Sequence, residues 1–231
     1  MSYDQSIDYR LVSFQEKWTF TPIWKNGTKS IFETMSAQVP DIERSPSTHQ
    51  IHSFVYPPLV SEDLNMLHKD SEEYLKILKS SFNFVCIRDP YERFISAFYH
   101  KLIQNPNGLE TKSFYKQYGL DNYSDIKKLY VFVEYILSNN EVDPHFWSQS
   151  KLARLDEINY SYMIKMDSLR KDWDMLSDKF TNIPKLHEYR LHATDSKIFA
   201  DHLKKDKSHQ RLVKKIEMLY LDDYKFIERL S

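Results

Sequence analysis

Glycine is nearly absent: Gly27, Gly108 and Gly119 are the three in a chain of 231 residues. A β-sandwich or barrel spends glycine on many of its turns. The scarcity, beside abundant Lys, Leu, Glu and Asp, argues against an all-β fold and for a helix-rich one. Cys86 is the single cysteine, which excludes an intrachain disulfide and a cysteine-built zinc site and fits a reducing compartment. Long apolar runs are missing too. The start, MSYDQSIDYRLVSFQEKW, has no apolar h-region. The longest apolar run, Leu129–Val133, falls far short of the roughly 20 residues a bilayer demands. With Met1 as the natural start, these absences predict a soluble, cytoplasmic protein with no membrane span. Nor is there an excess of one charge. Lys and Arg number 32 against 33 Asp and Glu, a net charge of −1, so a general nucleic-acid binder is not expected, although a local basic pocket remains open.

What is present is ordinary for a globular domain: 41% hydrophobic and 28% charged residues, with aromatics at 15%. No repeat or Gly/Ser/Pro-rich linker divides the chain, so residues 1–231 read as one domain. Trp18–Trp24 (WTFTPIW) reads as a buried strand, followed by a polar turn and a short helix over Ser30–Ala37. Ile51–Pro58 is apolar but broken by prolines. Ser61–Ser80 carries helical spacing, and Phe82–Ile87 (FNFVCI) is the clearest buried strand. Pro90 suits the first turn of a helix, and Asn105–Gly108 is a turn. Further helices are expected over Ser124–Leu137, Ser168–Phe180 and Ser208–Leu221, a strand over Tyr160–Met166, and a polar loop over 183–197. Strands alternating with helices predict an α/β fold, a parallel sheet flanked by helices.

Two constellations carry chemistry. The first is Lys25-Asn26-Gly27-Thr28-Lys29-Ser30, between a strand and a helix. A helix start offers backbone N–H groups and partial positive charge, both suited to a phosphate. Gly27 permits close approach, two lysines add charge, and two hydroxyls add donors. It is not the G-x-x-x-x-G-K-S/T loop, because no glycine holds the first position and Thr28 separates Gly27 from Lys29. An Asn-Gly turn with solvated lysines is the competing reading. The second constellation is Arg88-Asp89-Pro90-Tyr91-Glu92-Arg93-Phe94-Ile95-Ser96-Ala97-Phe98. An arginine at the carboxyl end of a buried strand points to where open α/β sheets bind ligands, and its fork matches phosphate oxygens. Ser96 lies two turns into the helix. The competing reading pairs Arg88 with a carboxylate and lets Asp89 cap the helix.

Together these segments resemble the PAPS-dependent carbohydrate sulfotransferases, particularly the Golgi branch that sulfates chondroitin and dermatan. That family has PK-x-G-S/T-x-S where this chain has WKNGTKS, and R-D-P-x-x-R-x-x-S-A/S-Y/F where it has RDPYERFISAF. Asp143-Pro144-His145-Phe146-Trp147-Ser148-Gln149 is similar to its D-x-H-W-x-P-Q segment. Met163–Leu176 and Tyr220–Phe226 resemble later family segments. Trp24 replaces the usual proline, Phe146 intervenes before Trp147, and the Golgi enzymes' disulfides and anchor are absent.

The resemblance implies a P-loop-type sheet that binds PAPS, releases 3′,5′-ADP and needs no metal. It places Lys25 on the leaving phosphate, Asn26, Gly27, Thr28, Lys29 and Ser30 on the 5′-phosphate, and Arg88 and Ser96 on the 3′-phosphate, with Arg190 reaching the nucleotide. A histidine is the default base for an acceptor hydroxyl. His52 is slightly favoured, His145 takes a substrate-shaping or structural role, and Glu33 is a carboxylate alternative. His49 and His52 have metal-ligand spacing but no third ligand at a recognised spacing. The expected partner is a carbohydrate or glycoconjugate acceptor, with no nucleic acid. A homo-oligomer stays open. The alternatives are a P-loop kinase requiring Mg²⁺ and an inactive nucleotide-binding module.

Overall fold

A computed structural model describes residues 11–13, 17–28, 30, 31, 34, 72–139, 143–155, 157–181, 183–186 and 195–229. Its strands are β1 (Leu11–Ser13), β2 (Trp18–Thr21), β3 (Phe82–Ile87) and β4 (Tyr162–Lys165). The helices used below are α1 (Glu72–Ser80), α2 (Pro90–Phe98), α3 (Leu109–Tyr118), α4 (Asp125–Ser138), α5 (Leu169–Lys179), α6 (Asp195–Lys205), α7 (Gln210–Leu219) and α8 (Leu221–Arg229). The described residues fall into two compact units, one within Met1–Arg88 and Ser150–Arg190, the other within Asp89–Gln149 and Leu191–Ser231. The Ile51–Pro58 segment, the first part of the Ser61–Ser80 helix and much of the Ser30–Ala37 helix lie outside the described residues.

The first unit holds the sheet, in the order β1-β2-β3-β4. β2, β3 and β4 are parallel neighbours, whereas β1 pairs antiparallel with β2. A wholly parallel sheet is therefore corrected at one edge. Only residues 14–17 join β1 to β2, and a parallel crossover needs a dozen or more. β2 stops at Thr21, short of the expected Trp24, because Pro22 has no N–H for the ladder. In β3 every residue from Asn83 to Ile87 is buried, which explains its run of apolar residues without alternation. The polar exception is satisfied: Asn83 donates to the carbonyls of Leu78 (2.8 Å) and Asn159 (3.2 Å) and accepts from the Thr19 hydroxyl (2.6 Å). The core joins Trp18, Phe20, Phe84 and Ile164 of the sheet to Leu169, Trp173 and Leu176 of α5. Trp173 is fully buried, and its indole N–H reaches the Pro184 carbonyl at 2.8 Å. Truncating such a side chain costs about 3–5 kcal/mol.

The second unit is helical where described. α2 starts as its sequence predicts, with Pro90 in the first turn and the Asp89 carboxylate accepting the Glu92 N–H at 2.8 Å. Its Tyr91, Phe94, Ile95 and Phe98 pack with Phe132 of α4 and Leu212 and Ile216 of α7. It runs into a π-helical turn, Tyr99–Ile103, whose Lys101 and Leu102 carbonyls accept the hydroxyls of Thr111 and Tyr115 from α3. The C-terminal region departs from expectation. The 183–197 loop gives way to α6 at Asp195, the helix expected over Ser208–Leu221 is α7, and a further helix, α8, follows after a break at Tyr220. Tyr220 donates its hydroxyl to Phe146 at 2.7 Å, so a buried contact fixes the break. Among the described residues, no helix is long and apolar enough to cross a membrane.

Candidate functional site

Parallel neighbours end at the same edge, so the segments leaving β2, β3 and β4 meet at one end of the sheet. The segment after β2 is Trp24–Gly27, and a helical turn begins at Thr28. Its backbone φ alternates in sign, +70° at Lys25, negative at Asn26 and +71° at Gly27. Alternating handedness is the backbone pattern of an anion-binding nest. Lys25 holds a left-handed conformation without being glycine, which costs roughly 1–2 kcal/mol. The fold maintains it through Asn26, fully buried, whose side-chain N–H donates to the Cys86 carbonyl at 2.9 Å. The Ile23 carbonyl closes the turn, accepting the Asn26 N–H (3.2 Å) and the Thr28 hydroxyl (2.5 Å). The Ile31 N–H then reaches the Gly27 carbonyl at 3.0 Å, the first helical bond.

Gly27 is required for a second reason. A Cβ there would lie 2.9 Å from Met166 Sδ, just after β4. Asp172 pins that turn, accepting the Lys165 N–H (3.1 Å) and the Ser168 hydroxyl (2.6 Å). Gly27→Ala should therefore lower stability by about 1–2 kcal/mol from backbone strain alone, with the displacement of Met166 added. Calorimetric Tm and anion affinity check this, and an unchanged Tm would show that the loop is relaxed.

Arg88 follows β3, and its Nη1 donates to the Lys25 carbonyl at 3.4 Å. The fold thus brings two of the sequence-predicted anion ligands, from segments 63 residues apart, to one edge of the sheet. Asp89 caps α2, as the competing reading of that motif expected. Thr28 and Ser30 are buried in the turn, and Ser96 is half-buried on α2. Cys86, behind the cradle, is a neutral thiol: burial pushes its pKa well up, and the Asp172 carboxylate pushes it further against the pull of Arg88. Lys29, Glu33, His49, His52 and Arg190 lie outside the described residues.

The second unit contains a clamp that motif reading missed. Arg93 is fully buried and donates Nη1 to the Trp147 carbonyl (2.7 Å) and Nη2 to the His145 carbonyl (3.2 Å). Asp223, also buried, accepts the Gln149 N–H at 2.7 Å. With the Tyr220 bond to Phe146, the backbone from 145 to 149 is held at four points. Asp143 opens this segment, accepting the His145 N–H at 2.8 Å, while its Oδ1 lies 2.7 Å from His145 Nδ1 and its Oδ2 2.9 Å from Lys101 Nζ. Burial alone would raise the Asp143 pKa. The hydrogen bonds from His145 and Lys101 outweigh it and hold the carboxyl well below the usual range. An ionised Asp143 favours the His145 tautomer with hydrogen on Nδ1, so that Nε2 is the basic nitrogen. The fixed arginine of the second motif was the available signal for this clamp, since its spacing from Pro90 puts it on the buried face of α2.

The fold and this edge define an α/β protein in which the Lys25–Gly27 turn and Arg88 meet at the carboxyl ends of parallel strands. Its sequence places it more narrowly: the pattern of the sulfotransferase family matches residues 8–228, and the chain belongs to that family. Membership carries the general class of activity, PAPS-dependent sulfuryl transfer. No curated protein and no solved structure matches the chain.

Proposed function

We propose that this protein moves a sulfuryl group from PAPS to a hydroxyl of a carbohydrate or glycoconjugate, as one P-loop-type domain spanning both units and acting in the cytoplasm. The observation that carries the reading is the Lys25–Gly27 turn beside Arg88, whose left-handed backbone at Gly27 packs against Met166. Bound PAPS supplies the activated sulfur, whose bond to the bridging oxygen breaks as the acceptor oxygen bonds to it. The Lys25 amine offsets the charge that grows on the leaving phosphate, and the N–H groups of the turn hold the 5′-phosphate. Lys29 and the hydroxyls of Thr28 and Ser30 belong to the same group. Arg88 offers a fork to the 3′-phosphate. Ser96, on motif grounds alone, is assigned to that phosphate, and Arg190 to the nucleotide. No step of this scheme needs a metal.

A base takes the acceptor's proton as the new bond forms. His52 and His145 are the candidates. What favours His145 is its Asp143 partner, which orients the ring and stabilises the imidazolium once the proton is accepted. The carbohydrate acceptor and the chondroitin/dermatan-type branch rest on the resemblance of the RDPYERFISAF and DPHFWSQ segments.

Calorimetric titration with 3′,5′-ADP, against 5′-AMP and ATP–Mg²⁺, tests the reading. Selective binding of 3′,5′-ADP is expected, weakened at least tenfold in Arg88→Ala, as loss of charge-assisted hydrogen bonds worth about 1.5–3 kcal/mol requires. Preference for ATP–Mg²⁺ would favour a kinase. Binding of none of the three would overturn the nucleotide site.

A further inference from the structure

The corner between α6 and α7 gathers three side chains that the transfer chemistry does not use. His202 lies in the last turn of α6. Asp206 caps the 3₁₀ turn Lys207–His209, and His209 stands just before α7. Each offers a ligand atom, and these atoms all lie within 4.8 Å of one another. We propose that His202, Asp206 and His209 form a binding site for a divalent transition ion of the zinc class, stapling α6 to α7.

The donor set carries the choice of ion. Two imidazoles and one carboxylate suit Zn²⁺, which takes nitrogen and oxygen ligands tetrahedrally, whereas Mg²⁺ and Ca²⁺ prefer oxygen alone. Bonds of about 2.0–2.1 Å place tetrahedral donors roughly 3.3 Å apart. Asp206 Oδ2 and His209 Nε2, 3.6 Å apart, are already near that spacing. His202 is exposed, so rotating its side chain brings its nitrogen in without disturbing the core.

Neighbouring groups orient two of the three ligands. Ser208 donates its N–H and its hydroxyl to Asp206 Oδ1, both at 2.8 Å, which orients the carboxylate and leaves Oδ2 for the ion. The same bonds hold the Asp206 pKa below its ordinary value. Tyr130 of α4 places its hydroxyl 3.4 Å from His209 Nδ1, which favours Nε2 as the metal-binding nitrogen. Lys204, Lys205 and Lys207 flank the corner, but all three are exposed, and their repulsion of a cation is screened by solvent.

The test uses the full chain, stripped of metal by chelation and dialysis, titrated with ZnCl₂ alone by calorimetry and with Co²⁺ by visible absorption. One strong zinc site per chain is expected, with tetrahedral Co²⁺ bands and a Tm that rises with zinc. His202→Gln, Asp206→Asn and His209→Gln should each weaken binding at least tenfold and abolish the Tm rise. His202 is exposed, so its variant keeps the comparison valid if the others fold poorly. Absence of zinc binding to the wild type would overturn the proposal. So would unchanged binding by His202→Gln and His209→Gln, which would place the ion on other histidines of the chain.

Discussion

Arg93→Ala is expected to cost the second unit about 2–6 kcal/mol, because two buried carbonyls lose a donor at about 1–3 kcal/mol each. The guanidinium is fully buried and serves the His145 and Trp147 carbonyls at once. Its removal leaves both acceptors short of a donor and opens a cavity. Arg93→Lys should recover part of the loss, because a single ammonium cannot span two carbonyls as a planar fork does. Thermal unfolding and amide exchange over residues 143–149 measure this. Full exchange protection of that segment in Arg93→Ala would show that Asp223, Tyr220 and Asp143 hold it without the arginine.

Lys25→Ala is expected to lower the rate of sulfuryl transfer by about 10²–10³-fold, the usual loss when one donor to a developing negative charge is removed. Affinity for 3′,5′-ADP should fall less, since the turn's N–H groups and Arg88 remain. The left-handed backbone at Lys25 demands a control. Lys25→Gly removes the amine while relieving the strain, so equal rate losses in both variants would assign the effect to the amine. The readout is 3′,5′-ADP released from PAPS with an acceptor drawn from a carbohydrate screen. Turnover unchanged in both variants would remove Lys25 from the mechanism. Loss of nucleotide binding together with turnover would give it a binding role instead.

The strongest local signals were legible in the chain. FNFVCI became β3 at its expected bounds, because a strand buried throughout needs an unbroken apolar run. Asp89-Pro90 opened α2, because cap and first turn are decided by two adjacent residues. The Lys25–Ser30 turn stood out for holding one of three glycines, and Gly27 does occupy a conformation other residues resist. α3 was not legible. LETKSFYKQY has few apolar residues, and its buried face is Thr111, Phe114 and Tyr115, two of which reach for carbonyls of the π-turn through hydroxyls.

By itself, the sequence determined the helix-rich α/β class and the family, because both depend on residue type and spacing along the chain. Tertiary structure alone decided the rest. It seated Gly27 against Met166, made the motif's second arginine a clamp on the 145–147 backbone, and paired His145 with Asp143 and Lys101. It also folded His202, Asp206 and His209 into one corner. These outcomes depend on which side chain approaches which. Packing settles that between residues a single sequence does not link.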